Sequence, residues 1–220
     1  MFTGRMLLAF IMGFSGGLPL LLTGSLLQAW MVDVGVDIET IGLFALVGLP
    51  YTLKFVWAPL MDRYSPALLG RRRGWLFLWQ LCLTGSIALL GFSNPSQMLM
   101  MTALAALLLS FFSASQDIVI DAYRRESLAD DEQGMGASLY VGGYRVGMLL
   151  ATGGGLFLAD HMAYHWVYII MASAMSAGLI ATLLAPEPEA KHGKPRTLQE
   201  AVVQPFKEYF TRDYPLIILF

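Results

Sequence analysis

Charge is what this chain has little of. Its 220 residues include 14 lysines and arginines and 16 aspartates and glutamates, where a soluble chain at about 25% charged residues would carry roughly 55. An ordinary water-soluble domain is excluded, because an apolar fraction of 56% and a mean hydropathy of +0.60 leave more apolar surface than one core of this size can hide. Cysteine is scarcer still: Cys82 stands alone, so there is no intrachain disulfide, and in its apolar setting it reads as a small buried hydrophobe. Basic residues are too few and too scattered to follow a phosphate backbone, and the net charge is -2, which excludes nucleic acid as a partner. Histidine is nearly absent too. His161 and His165 have the i,i+4 spacing of a metal pair but lack a third ligand, so neither a metal nor a cofactor is expected.

What the chain does have is long apolar runs. Met6 to Trp30, Ile41 to Leu60, Gly74 to Phe92, Met98 to Tyr123, Gly134 to Ala159 and Trp166 to Ala185 can each cross a bilayer of about 30 Å at about 1.5 Å per residue, as helices that satisfy their own backbones. Six transmembrane helices are predicted. The loops after the first, third and fifth contain no lysine or arginine. The other side collects Arg5, Arg63, Arg71, Arg72, Arg73, Arg124, Arg125 and the basic residues of the tail, so the positive-inside bias puts both ends in the cytoplasm.

Pro186, Glu187, Pro188 and Glu189 open a polar linker. Thr197, Leu198, Gln199 and Glu200 fit a capping box, and Leu198, Val202, Phe206 and Tyr209 share a face, which predicts a short amphipathic helix on the cytoplasmic side. After Pro215 a new apolar run starts and stops. The reading is a six-helix bundle over 1–185, a linker over 186–213, and at 214–220 the start of a seventh helix. GLFALVG at 42–48 and GASLYVG at 136–142 each open a span, and Phe14-Ser15 recurs as Phe112-Ser113, which suggests two three-helix repeats.

Four charges fall inside predicted spans, each costing at least about 2.5 kcal/mol on insertion scales: Lys54, Asp117, Asp121 and Arg145. Asp117 and Asp121 share a face of span four with Ser113, beside Gln116. One of the pair fits a proton site, holding a proton at neutral pH and releasing it when a cavity opens to the cytoplasm. The competing reading is static: Asp117 paired with Arg145, and Asp121 with an arginine of 71–73. Arg145 and Lys54 suit an anionic substrate, although Lys54 can also snorkel to the interface. Gln28, Trp30, Gln116 and Tyr144 join them as candidate substrate contacts, with Tyr51, Trp57 and Tyr140 as further aromatic faces for sugar rings. Gly13/Gly17 and Gly143/Gly147 are small-xxx-small pairs suited to close packing, and with Pro19 and Pro50 they supply bendable helices. An Asp-x-x-x-Asp on a membrane helix also occurs in intramembrane prenyltransferases, where it holds Mg²⁺. That chemistry needs a second aspartate-rich segment, and no other span has an aspartate, so no enzyme is predicted.

Ala58, Pro59, Leu60, Met61, Asp62, Arg63 and Tyr64, followed by Gly70, Arg71, Arg72, Arg73 and Gly74, resemble the signature loop of the major facilitator superfamily, with Ala58 in place of a glycine and five extra residues, 65–69. Further stretches resemble AmpG-type muropeptide permeases within it: GFSGGLPLLLTGSLLQAWM (13–31), IGLFALVGLPYTLKFVWAPLMDRY (41–64), SASQDIVIDAY (113–123), GYRVGMLL (143–150), ATLLAPEPE (181–189) and TLQEAVVQPF (197–206). The resemblance implies an all-α six-helix half of a major facilitator fold in the bacterial inner membrane. Its implied function is proton-coupled import of anhydromuropeptides for peptidoglycan recycling, with Asp117 and Asp121 in proton coupling and Asp62, Arg63, Arg71, Arg72 and Arg73 as a cytoplasmic gate. Its implied partners are that substrate, protons, lipid and a second six-helix half, from the rest of the protein or from another copy. The Gln-Asp-Ile-x-x-Asp core also resembles acetyl-CoA transporters, which keeps that substrate class open, as is a six-helix fragment incompetent for transport.

Overall fold

The computed structural model describes residues 4–66 and 69–188. The expected linker helix and the start of a seventh helix lie outside the described residues. Among the described residues six helical rods follow one another: α1 (Gly4–Asp33), α2 (Ile38–Val56), α3 (Arg71–Phe92), α4 (Leu99–Ser127), α5 (133–159) and α6 (Tyr164–Leu184). All but α5 are long and apolar enough to cross a membrane. The α5 rod has the length, but Arg145 and its many glycines dilute its apolar content. Short connections make successive rods antiparallel. Arg5, Asp62, Arg71 to Arg73 and Arg124 therefore gather at one end of the bundle, the basic end, with Asp33, Asp37 and Asp160 at the other.

Helix ends extend past the predicted spans wherever local chemistry supports them. Asp37 takes an extended backbone and accepts from the Thr40 N–H at 2.8 Å, starting α2 three residues early. That hydrogen bond holds the Asp37 carboxyl below the usual carboxylate range, so the cap is complete at neutral pH and is lost as pH falls through that lowered value. After Val56 the chain turns once at Trp57 and runs helically over Ala58–Arg63.

The closest packing joins α1 to α5. A Cβ on Gly13 would overlap the Tyr140 carbonyl, one on Gly17 the Tyr144 carbonyl, one on Gly143 the Phe10 carbonyl and one on Gly147 the Phe14 carbonyl. The two small-xxx-small pairs thus meet each other, and the helices touch backbone to backbone. Each rod then breaks helical register beyond the crossing, at Leu22–Leu26 in α1 and Leu150–Gly154 in α5, where π-turns occur. The bend in α1 centres on Gly24, whose ψ of -105° is non-helical, rather than on Pro19. The Tyr168 hydroxyl, completely buried, donates to the Leu22 carbonyl at 2.9 Å inside that turn.

Around this crossing α4 packs on α1, α3 on α4 and α6, and α2 lies against α4 with most of its surface uncovered. The interior is layered. One apolar cluster holds Leu18, Leu83, Leu109 and Met171; another, towards the basic end, holds Met12, Leu76, Ile120 and Ala185. Between them each of four rods contributes polar side chains at the same depth: Ser15 from α1, Gln80 from α3, Ser113, Gln116 and Asp117 from α4, and Thr182 from α6, all buried. Within this stratum Thr182 donates to Gln80 at 2.8 Å.

Candidate functional site

The polar stratum explains why Gln116 stands beside Asp117. Pro19 has no N–H, so the Ser15 carbonyl four residues before it loses its helical partner. The Gln116 amide replaces it, donating from Nε2 to the Ser15 carbonyl at 3.0 Å, while the Ser15 hydroxyl donates back to Gln116 Oε1 at 3.3 Å. Gln116 was expected to contact substrate, yet its oxygen and one N–H are committed to mending α1. Gln116→Leu is therefore expected to lower stability by about 1–3 kcal/mol, the cost of a buried carbonyl left bare, read as an earlier thermal transition of the purified protein. A residue serving substrate alone would leave that transition in place.

Asp117 faces the other way. It is 7% exposed, and its Oδ1 has no hydrogen-bond partner. The carboxylate lies over Gly16 of α1, where an added Cβ would come within 3.1 Å of Oδ1, 3.5 Å of the Tyr140 hydroxyl and 3.5 Å of the Tyr144 ring. Gly16 thus leaves the niche that Asp117 and the two α5 tyrosines share. Lys54, half-buried on α2, is the cation whose field acts on it. The expected Asp117–Arg145 pair does not form: Arg145 sits exposed at the middle of α5, beside exposed Val141 and Val146. Asp121, one turn nearer the basic end, has a side chain 53% exposed, 3.5 Å from Arg124. It does not reach the arginine cluster of α3, and it meets surroundings unlike those of Asp117.

Other candidates lie apart. Trp30 stacks on Tyr164 with centroids 5.2 Å apart and tilts against Tyr168, so its ring belongs to the core at the end opposite the arginines. Tyr164 also donates to Asp33 at 2.6 Å, tying the ends of α1 and α6. Gln28 is exposed near that same end. Trp57 donates to Ser115 at 3.0 Å and packs on Phe111. Tyr144 and Tyr140 remain next to Asp117 with ring centroids 6.0 Å apart, and Tyr140 also carries the Arg124 guanidinium on its face at 5.3 Å.

At the basic end the arginines form a compact ionic latch. Arg72, only 5% exposed, is held between Asp62 at 2.8 Å and Glu126 at 2.6 Å, and Arg71 joins Glu126 at 2.7 Å. Arg73 donates to the carbonyls of Thr182 and Leu183, closing the end of α6. Glu187 accepts from the backbone N–H groups of Arg72 and Arg73 at 2.8 and 3.0 Å, capping α3. Gly70 makes room for that carboxylate: its φ is +94°, and a Cβ there would meet the Glu187 side chain. Tyr123 donates to the Pro186 carbonyl, a further tie to the segment after α6. Arg63 stands outside the ionic cluster, over the Tyr64 ring. Sequence reasoning missed Glu126 and Glu187. Glu126 follows the basic pair Arg124-Arg125 at the end of α4, and that overhang beyond the predicted span was the available signal. Glu126→Ala is expected to cost about 3 kcal/mol, because it strips a buried guanidinium of one partner, whereas Arg63→Ala is expected to shift the same thermal transition little.

Comparison with known proteins supplies the relationship. The sequence profile described as Major Facilitator Superfamily matches residues 5–220. The anhydromuropeptide permease of Escherichia coli (strain K12) is 47% identical over 216 residues, 98% of this chain and 44% of the permease. An uncharacterized protein of Haemophilus influenzae is 42% identical over 213 residues, 96% of this chain and 50% of the relative. A putative transporter, AmpG 1, of Rickettsia bellii is 32% identical over 178 residues, 79% and 43% of the two chains. The chain spans about half the length of the curated relatives it matches. With a profile match running from the base of α1 to the last residue, and rods of membrane-crossing length throughout, this multi-pass membrane chain belongs to the major facilitator superfamily.

Proposed function

We propose that the chain forms one wall of a proton-driven carrier that imports anhydromuropeptides across the bacterial inner membrane. The observation that carries the substrate is the 47% identity to a permease of that name over 98% of the chain. The distribution of lysine and arginine supports a cytoplasmic basic end. Asp117 is the coupling group in this reading, since it is the carboxylate held within the bundle without a hydrogen-bond partner for Oδ1. Tyr144 and Tyr140 offer ring faces and hydroxyls to the sugar, and Arg145 offers a cation to the peptide carboxylate.

A carrier needs a second helical bundle facing this one, from the same polypeptide or another copy. Arg145 argues for such a cover: a charge exposed at the middle of a membrane rod is too costly to leave against lipid. The latch of Asp62, Arg71, Arg72, Arg73, Glu126 and Glu187 is proposed to hold the cytoplasmic ends of α2, α3, α4 and α6 together as one body while the two bundles rock. Uptake of a labelled N-acetylglucosaminyl-1,6-anhydro-N-acetylmuramyl peptide into proteoliposomes, driven by a pH gradient and challenged with acetyl-CoA, tests the function. Accumulation that collapses with the gradient and resists acetyl-CoA is expected. Accumulation indifferent to the gradient, or displaced by acetyl-CoA, would overturn it.

A further inference from the structure

Buried serine and threonine hydroxyls in this bundle nearly always find a partner. Thr23, Ser86, Ser93, Thr102 and Ser115 donate to carbonyls three or four residues back, and Ser15 and Thr182 donate to glutamines. Among the described residues two buried serine hydroxyls do not: Ser110 and Ser113, both 0% exposed and neither bonded to a helix carbonyl. They stand on one face of α4 with Asp117, at spacings of three and four residues, leading from the carboxylate towards the end opposite the arginines. The Tyr51 hydroxyl of α2 is buried beside them, in hydrogen-bonding reach of the Ser113 hydroxyl and in the field of Asp117. Three buried hydroxyls that bond to no helix carbonyl and a carboxylate oxygen without a donor, gathered in one place, point to a shared role, because buried hydroxyls otherwise bond to the backbone or to a glutamine.

We propose that Ser113 and Tyr51, extended by Ser110, form a hydroxyl relay that delivers the coupling proton to Asp117 from the end of the bundle opposite the arginines. The inference rests on the assignment of Asp117 as the coupling group. In each step a hydroxyl oxygen accepts an incoming proton as its own proton passes to the next oxygen. One proton reaches the Asp117 carboxylate, each hydroxyl ends with one proton, and rotation about its C–O bond resets it. Leaving these hydroxyls unbonded to the helix keeps them free to turn. The titratable groups that face Asp117 are Tyr51 and Lys54 from α2, Tyr140 and Tyr144 from α5, and Asp121 from its own rod; α1 presents Gly16. Lys54 supplies a fixed positive field beside the end of the relay, and the relay itself is built of neutral groups.

The test uses the intact native protein in proteoliposomes with labelled anhydromuropeptide. Ser113→Ala and Tyr51→Phe are expected to slow gradient-driven uptake about tenfold and to enlarge the rate difference between H₂O and D₂O. Substrate exchange at equal pH, which moves no net proton, is expected to stay near native in Ser113→Ala, and Ser113→Thr, which keeps a hydroxyl, is expected to restore driven uptake. Equal loss of uptake and exchange in Ser113→Ala, or native driven uptake in both variants, would overturn the relay. Asp117→Asn, run alongside, separates the two levels. If it keeps gradient-driven uptake, the coupling assignment itself falls; if it loses that uptake while the hydroxyl variants behave as native, only the relay falls.

Discussion

Asp117→Asn is expected to reduce gradient-driven accumulation of anhydromuropeptide about 100-fold while equal-pH exchange persists, and to flatten the dependence of uptake on external pH. Asparagine keeps the shape of the side chain within the Gly16 niche and removes its carboxyl proton. The neighbouring substitution makes a contrast that the spacing of the two aspartates does not foretell. Asp121→Asn is expected to change uptake by no more than about twofold, because the Asp121 side chain is half-exposed and its pairing with Arg124 at 3.5 Å is a surface interaction worth about 1 kcal/mol at most. Uptake measured against a pH series in the two variants decides the matter. Equal losses would return coupling to the pair, and native pH dependence in Asp117→Asn would remove it from this site.

The second large effect lies at the crossing of α1 and α5. Gly17→Leu is expected to prevent assembly of the bundle, seen as loss of monodisperse protein after detergent extraction. Overpacking a side chain into a flexible core costs about 1–3 kcal/mol. Here the obstacle is the Tyr144 backbone carbonyl, which has no flexible end to move aside, so the cost rises above that range. Gly143→Leu, which meets the Phe10 carbonyl from the opposite rod, is expected to behave alike. Gly42→Ala serves as the comparison: nothing lies within 4 Å of its added Cβ, and a native yield is expected. A yield of Gly17→Leu equal to that of Gly42→Ala would show that the two backbones do not touch.

Because Gly17 and Asp117 meet α5 within a turn of one another, the two experiments also probe how packing and chemistry share one place. Gly16 opens the niche for the carboxylate, and Gly13 and Gly17 on either side bring α5 close enough for Tyr140 and Tyr144 to line it. The same rod carries Pro19, whose missing donor draws Gln116 into α1. A single stretch of α1 therefore sets the position of α5, the orientation of Gln116 and the space around Asp117.

Much of this was legible residue by residue. Apolar run length located the five rods long and apolar enough to cross a membrane, the lopsided placement of lysine and arginine marked one end as basic, the glycine spacing announced a close crossing, and four charges inside apolar runs marked where to look for chemistry. These are properties of one chain segment at a time, and the cost of placing a charge or an unbonded backbone in lipid makes them reliable. Which residues meet was decided by packing. Two aspartates on one helical face differ in burial because Asp117 falls at the depth of the α1–α5 crossing and Asp121 a turn beyond it, where the bundle opens. The arginines of the loop after α2 take Glu126 and Glu187 as partners, rather than Asp121, because α4 runs on to Ser127 and the segment after α6 folds back onto the start of α3. Gln116 looked like a ligand for substrate and serves a proline a hundred residues away. Depth, phase and reach across rods depend on how the helices lean on one another, and in this protein backbone contact at four glycines sets that lean.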